Sequence, residues 1–182
     1  ILTLTDKYGE KGYAYADINP QVIPDPNAKT VDLTLVVDKG VQITVRRINI
    51  SGNTKTRDKV IRREIRLDEQ TTMNTSALRR SFQRLNNLNF FENIEISPER
   101  VSPDKVDLNV KVKEKPTGAF SIGGGYSSVY GLLGTVDVTE GNLMGRGELL
   151  RFKGEFGKLR TNYDVTFREP WFRDEPTAVS VS

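Results

Sequence analysis

Residues 105–127 read KVDLNVKVKEKPTGAFSIGGGYS, and the fold turns on what changes inside them. Before Pro116, Val106, Leu108, Val110 and Val112 alternate with Asp107, Asn109, Lys111 and Lys113, which predicts a strand with one dry face and one wet face. After it, Phe120, Ile122, Gly124 and Tyr126 alternate with Ala119, Ser121 and Gly123. The period is again two, but glycine and aromatic residues have replaced the lysines. From Gly118 onward lie 11 of the 15 glycines and nine of the 15 aromatics, and no proline stands between Pro116 and Pro170. A mixed α and β part is therefore expected before Pro116 and an all-β part after it.

The strand at 105–114 has an earlier copy. Val31, Asp32 and Leu33 within TVDLTLVVDKG match Val106, Asp107 and Leu108 at an offset of 75. Upstream of each copy, KGYAYADINP ending at Pro20 corresponds in character to LNFFENIEISP ending at Pro98. Two copies of one small module are implied. The first lacks its opening elements, and the chain begins at Ile1 inside what reads as a helix.

The complete copy runs from about Val41 to Lys115. Val41, Ile43 and Val45 alternate; Arg46 and Arg47 then shift the phase, and Ile48 and Ile50 continue it, as a bulged strand does. SGN at 51–53 marks a turn. Ile61 and Ile65 make a four-residue apolar step on a short helix that Thr54 or Thr56 could cap. Leu78, Phe82, Leu85 and Leu88 predict an amphipathic helix capped near Asn74 or Thr75. Ile94 and Ile96 make one strand, and Val106 to Val112 another. The order is β-α-α-β-β: two helices on one face of a three-stranded sheet, with at least one edge open. The short segment from Asn93 to Val101 is the candidate edge, and Asn93, Ile94, Glu95, Ile96 and Ser97 are the residues that would accept an added strand. The alternative is an edge blunted by its own length and charge.

Beyond Pro116 the alternation is strict. Val136 and Val138 alternate with Thr135, Asp137 and Thr139; Leu150, Phe152, Gly154 and Phe156 with Arg151, Lys153 and Glu155; Tyr163, Val165 and Phe167 with Asp164, Thr166 and Arg168. In a soluble sandwich the aromatic face meets a second sheet; in a membrane barrel it meets lipid, while the charged face lines a wet lumen. Strand lengths near those of tilted membrane strands, aromatics close to strand ends (Tyr126, Tyr130, Trp171 and Phe172) and hairpin connections favour the barrel. Four strands and the start of a fifth, TAVSVS, cannot close one.

Composition excludes much else. The 182 residues contain neither cysteine nor histidine, so thiol nucleophiles, disulfides, Ser-His triads and the usual zinc, copper or haem ligands are absent. No catalytic site, cofactor or metal is expected. The formal charge of +3 is interspersed along the chain, which gives no argument for nucleic acid. No apolar run reaches the length of a membrane helix.

Several segments together resemble the BamA family of outer-membrane β-barrel assembly factors, at the passage from periplasmic POTRA modules into the barrel. They are INISGNTKTRDKVIRREI (48–65), LNNLNFFENIEI (85–96), VDLNVKVKEK (106–115), TGAFSIGGGYS (117–127), GNLMGRGE (141–148) and FREPWF (167–172). The resemblance implies that residues 1–40 end the penultimate POTRA module, 41–115 form the last, and 116–182 open a barrel of 16 strands in that family. It implies an outer-membrane location with the modules in the periplasm. Implied partners are unfolded outer-membrane proteins, accessory lipoproteins, periplasmic chaperones and outer-membrane lipid. The first barrel strand would form a weak lateral gate, placing it on Gly118, Phe120, Ile122, Gly123, Gly124, Gly125 and Tyr126. Contact with an accessory lipoprotein would fall on Arg62 and Glu69, and the membrane interface on Tyr130, Trp171 and Phe172. Two other readings stay open: a two-partner secretion pore of the same superfamily, and a soluble periplasmic scaffold.

The glycine triplet can also be read as a bend. Arg62, Arg63, Glu64, Arg66, Asp68 and Glu69 read as a solvated charged face, and Arg79, Arg80 and Arg84 as the polar back of the second helix. Asp104 with Asp107 and Glu92 with Glu95 match no calcium-loop spacing. Asn74-Thr75-Ser76 has the composition of a glycosylation sequon.

Overall fold

The phase shift at Arg46 is a bulge. In the computed structural model, which describes residues 2–25, 30–129 and 131–182, strand β3 (Thr44–Ser51) pairs in parallel with β5 (Lys105–Glu114), and the register slips between Val45 and Arg47. Strand β4 (Phe91–Ser102) completes the sheet in the order β3-β5-β4. Helices α2 (Asp58–Arg62) and α3 (Thr75–Asn87) lie between β3 and β4 in sequence, so the β-α-α-β-β order holds. The first copy contributes α1 (Leu2–Glu10) and a two-stranded antiparallel ribbon, β1 (Asp17–Asp25) with β2 (Thr30–Asp38).

Downstream, β6 (Gly118–Ser127), β7 (Gly131–Leu143), β8 (Glu148–Gly157), β9 (Thr161–Glu169) and β10 (Val179–Val181) form an antiparallel meander in the order β10-β9-β8-β7-β6. No described helix is long and apolar enough to cross a membrane, which leaves strands unaddressed.

The chain resolves into two compact units. One comprises Ile1–Ser51, Arg63–Leu85 and Ile94–Lys111; the other Gly52–Arg62, Asn86–Asn93 and Val112–Ser182. The first unit buries Ile43, Val45, Ile48, Ile65, Leu67, Met73, Leu85, Ile94, Val106, Leu108 and Val110. Here the strand pattern worked: the even-numbered residues of β5 are its dry set. The Asn74 carboxamide oxygen accepts the Ala77 amide at 2.8 Å and caps α3, one of the two expected positions. The N-terminal end of α3 holds α1: Ser76 Oγ donates to Glu10 and Arg79 pairs with Asp6 at 2.9 Å.

Several expectations are corrected. Helix α3 buries Ala77, Ser81 and Leu85, while Phe82 is 44% exposed. The small Ser81 faces inward because its hydroxyl accepts the Arg66 amide at 2.7 Å and donates to the Ala77 carbonyl at 2.8 Å. Helix α2 stops at Arg62, so Ile65 lies beyond it. Glu64 is buried, with its carboxylate on the half-buried Arg84 at 2.7 Å, and so does not belong to a solvated face. Asp107, assigned to the wet face, is likewise buried. Strand β4 spans 12 residues and is not short.

The second unit buries Val60, Ile61, Phe90, Phe91 and Val112. Thr54 and Thr56, the expected caps of α2, turn their hydroxyls elsewhere: Thr54 Oγ1 to Glu114 and Thr56 Oγ1 to Asn142.

Candidate functional site

Strand β6 is the terminal strand of the meander and, among the described residues, pairs only with β7. Ten consecutive pairs run from Gly118 with Glu140 to Ser127 with Gly131, with no slip. The glycine triplet is therefore not a bulge. Gly124 stands opposite Gly134, so this rung carries no side chain on either strand. A side chain at Gly124 or Gly125 would meet no tight contact, whereas a Cβ at Gly123 would come within 2.7 Å of Thr135 Oγ1. Two of the three glycines are thus not required by close packing. What they remove is cross-strand contact, the main source of sheet stability.

The apolar face of the meander points to solvent. Phe120 is 66% exposed, Ile122 71% and Tyr126 77%, and Leu132, Val138, Phe152, Phe156, Tyr163 and Val165 are exposed with them. No second sheet covers these rings among the described residues. Phe152 and Phe156 gather around Tyr163, with ring centroids 6.2 and 5.7 Å away, above the space left by Gly154. Between residues 131 and 139 of β7 and 149 and 157 of β8 the charge falls on odd-numbered residues and is self-paired: Arg151 with Asp137, and Lys153 with Glu155 at 2.6 Å.

The root of β6 is braced. Glu114, the last residue of β5, accepts the amides of Thr54 (2.9 Å), Lys55 (2.8 Å) and Thr56 (2.6 Å) and the Thr54 hydroxyl (2.7 Å). Burial pushes this carboxyl up, but the hydrogen bonds outweigh it and hold the group down to about 2. Gly52, which opens the loop at φ 87, is required: a Cβ there would lie 2.0 Å from the Val112 carbonyl oxygen. Along the linker, the Lys115 amide donates to Phe90 O at 3.0 Å, and Thr117 O accepts the Gly141 amide at 3.2 Å. The Thr117 hydroxyl bonds Glu140.

A second bulge, between Glu140 and Leu143 of β7, re-aims Asn142. Its Nδ2 donates to Thr56 Oγ1 at 2.8 Å, its Oδ1 accepts the Gly147 amide at 2.8 Å, and its own amide donates to Glu140 at 2.9 Å. The residue is 8% exposed and every polar atom of its side chain is used. Sequence reading missed this network. Its one signal is Gly141-Asn142, which breaks the alternation of β7 just before the turn.

Asn93 to Ser97 lie in β4, an edge strand of its sheet. Pro98 follows them, a residue that sheets tolerate at edges. Arg62 ends α2, exposed, with Asp58 at 3.3 Å. Glu69 is not on that helix: it is exposed beyond it and accepts the Ile48 amide at 3.0 Å. Trp171 precedes a 3-10 turn, Phe172–Asp174, in which the Arg173 guanidinium lies 5.3 Å from the Phe172 ring centroid. Tyr130 lies outside the described residues. No group of acidic side chains able to hold a metal occurs among the described residues.

With this geometry in hand, likeness to known proteins becomes decisive. The POTRA family, described as a surface antigen variable number repeat, matches residues 1–40 and 43–115. The chain belongs to the POTRA family. It is a homologue of BamA: the outer membrane protein assembly factor BamA of Neisseria meningitidis serogroup B is 37% identical over 93% of the chain. The chain spans 22% of that relative's length. The crystal structure of BamA from Haemophilus ducreyi lacking POTRA domains 1–3 is 31% identical, covers 98% of the chain and 34% of its own, and superposes with a TM-score of 0.90. BamA POTRA3-5 of Haemophilus influenzae is 39% identical over 62% of the chain and 45% of its own, with a TM-score of 0.53. The BamA likeness thus extends past the POTRA matches into the meander.

Proposed function

We propose that this chain is the part of an outer-membrane protein assembly factor in which the last POTRA module passes into the first strands of a transmembrane barrel. Residues 1–40 end the penultimate module, 41–115 form the last, and 116–182 open the barrel, with the modules in the periplasm. The whole protein folds and inserts β-barrel clients without covalent chemistry. Unfolded outer-membrane proteins are its substrates; accessory lipoproteins, periplasmic chaperones and outer-membrane lipid are its partners.

One observation carries this reading: a single-layer meander whose aromatic face is bare and whose opposite face holds the charge. Such a sheet is stable where acyl chains cover the rings. The physical task follows. A strand cannot enter hydrocarbon with its backbone unpaired, because each such group costs several kcal/mol. An edge strand with a weak partner supplies pairing. Strand β6, with its side-chain-free rung at Gly124, suits that role as lateral gate, and the β4 edge at Asn93–Ser97 suits strand addition by arriving clients. Trp171 and Phe172 serve as interface anchors at the ends of strands.

The test is reconstitution of the full-length protein in phospholipid vesicles with an unfolded barrel client. Client strands that become protease-protected only in its presence support the reading. Passage of a soluble client through the membrane would favour the secretion-pore alternative, and failure of the protein to partition into detergent would favour the soluble scaffold.

A further inference from the structure

The linker between β5 and β6 contains Pro116 and marks a change in composition, features of a flexible joint. It is not built as one. Between Glu114 and Gly118 every anchor is taken: Glu114 by the amides of 54–56, Lys115 by Phe90 O and by Asn89 Oδ1 at 2.6 Å, and Thr117 by Gly141 and Glu140. Pro116 fixes its own φ. A cleft of about 640 Å³ opens beside this segment, lined by Lys55, Phe90, Glu114, Lys115, Glu140 and Met144. Hydrogen bonding holds the linker where packing does not.

The two carboxylates that grip its ends are tied to each other by Asn142. One arm runs from Asn142 Nδ2 to Thr56 Oγ1, and from the Thr56 amide to Glu114. The other runs from the Asn142 amide to Glu140, and thence to Thr117. The turn that follows is fitted to the same loop. The Arg57 amide donates to Gly145 O at 2.9 Å, and Gly145, at φ 72, lies so close that a Cβ would come within 2.0 Å of the Lys55 carbonyl oxygen. Lys59 adds an ion pair to Asp174 at 2.5 Å.

We propose that Asn142 is a positioning residue for β6: it clasps loop 54–56 to the root of the strand, so that the loop and Gly118 move as one body. A displacement of the loop is then delivered to the first rung of β6 instead of being absorbed at Pro116. The clasp stands on its own geometry; its consequence for gating rests on the function proposed above.

The experiment is hydrogen–deuterium exchange on the full-length protein in phospholipid vesicles, comparing wild type with Asn142→Leu, Thr56→Val and Thr56→Ser. Thr56 is 2% exposed, so valine fits its space and removes only the hydroxyl. The amides of Lys55, Thr56, Lys115, Thr117 and Gly118 are expected to speed up together, about tenfold, in Asn142→Leu and in Thr56→Val, with Thr56→Ser restoring protection and residues 150–156 unchanged. The double variant should add little to either single one. Loosening confined to 54–57, with 115–118 as protected as in wild type, overturns the proposal, as does no change at all. Should Asn142→Leu not fold, Thr56→Val decides alone. Client insertion by the wild-type protein, measured in the same vesicles, judges the gating function separately: its absence overturns that function while the exchange comparison still judges the clasp.

Discussion

Arg46 stands in the bulge of β3 and grips Asp107 of β5 at two points, Nε to Oδ1 at 2.7 Å and Nη2 to Oδ2 at 2.5 Å. The extra residue turns the guanidinium toward the carboxylate, and the pair explains how a charge sits within the sheet. The hydrogen bond from Arg46 holds the Asp107 carboxyl below its ordinary value of 3.8; burial opposes this, and the charges of Arg46 and Arg47 assist. A lowered folded value means the contribution is complete above 3.8 and is lost as pH falls through the folded value. Asp107→Asn should reduce exchange protection of β3 and β5 at about pH 7, and the gap to wild type should narrow at about pH 3. A gap that widens on acidification would contradict this.

Glu114 obeys the same sign over a wider window. Its value is about 2 when folded against 4.5 ordinarily, so its contribution is full above 4.5 and fades down to about 2. After discounting for solvent screening, Glu114→Gln should cost about 1–2 kcal/mol near neutral pH. The cost should appear as faster exchange of the amides of residues 54–56 and should vanish at about pH 2.

Replacing Gly124 and Gly125 by valine should leave the fold intact and slow client insertion. Valine at 125 gains a cross-strand contact with Leu133 worth about 0.2–1 kcal/mol, which alone should reduce opening by about 1.4- to 5-fold, while valine at 124, facing Gly134, adds strand preference without a direct partner. Gly123→Val is the steric contrast, because its Cβ would press on Thr135. Insertion rates equal to wild type in the double variant would remove the gate function from β6.

Glu69 anchors the Ile48 amide, and the proposed lipoprotein contact would use the same carboxylate. Glu69→Gln keeps an acceptor for the Ile48 amide, whereas Glu69→Lys reverses the charge and loses it. Co-purification of the accessory lipoprotein should survive the first and fail with the second, and should weaken with Arg62→Glu. If Glu69→Lys still retains the partner, the contact lies elsewhere.

Much of this was legible in the chain, for reasons that differ by residue. The bulge at Arg46 showed as a slipped period because strands impose a period of two on every apolar side chain. Asn74 showed as a cap because a helix start needs an acceptor. Phe82 misled: helical spacing marks a face by size, yet the buried line runs through Ala77 and Ser81, where a hydroxyl serving Arg66 outweighed ring burial. Glu64 misled because its partner, Arg84, lies 20 residues away. Asn142 was invisible, since a hydrogen bond to Thr56 across 86 residues leaves no local period.

The parallel pairing of β3 with β5 also orders events in time. Ile48 lies beside Leu108, 60 residues later, whereas each meander strand finds its neighbour one hairpin away. A chain threaded into its compartment amino end first must hold β3 without its neighbour until residues 105–111 have emerged. Because β6 follows directly on β5, the three-stranded sheet can be zipped up before β6 has anything to pair with.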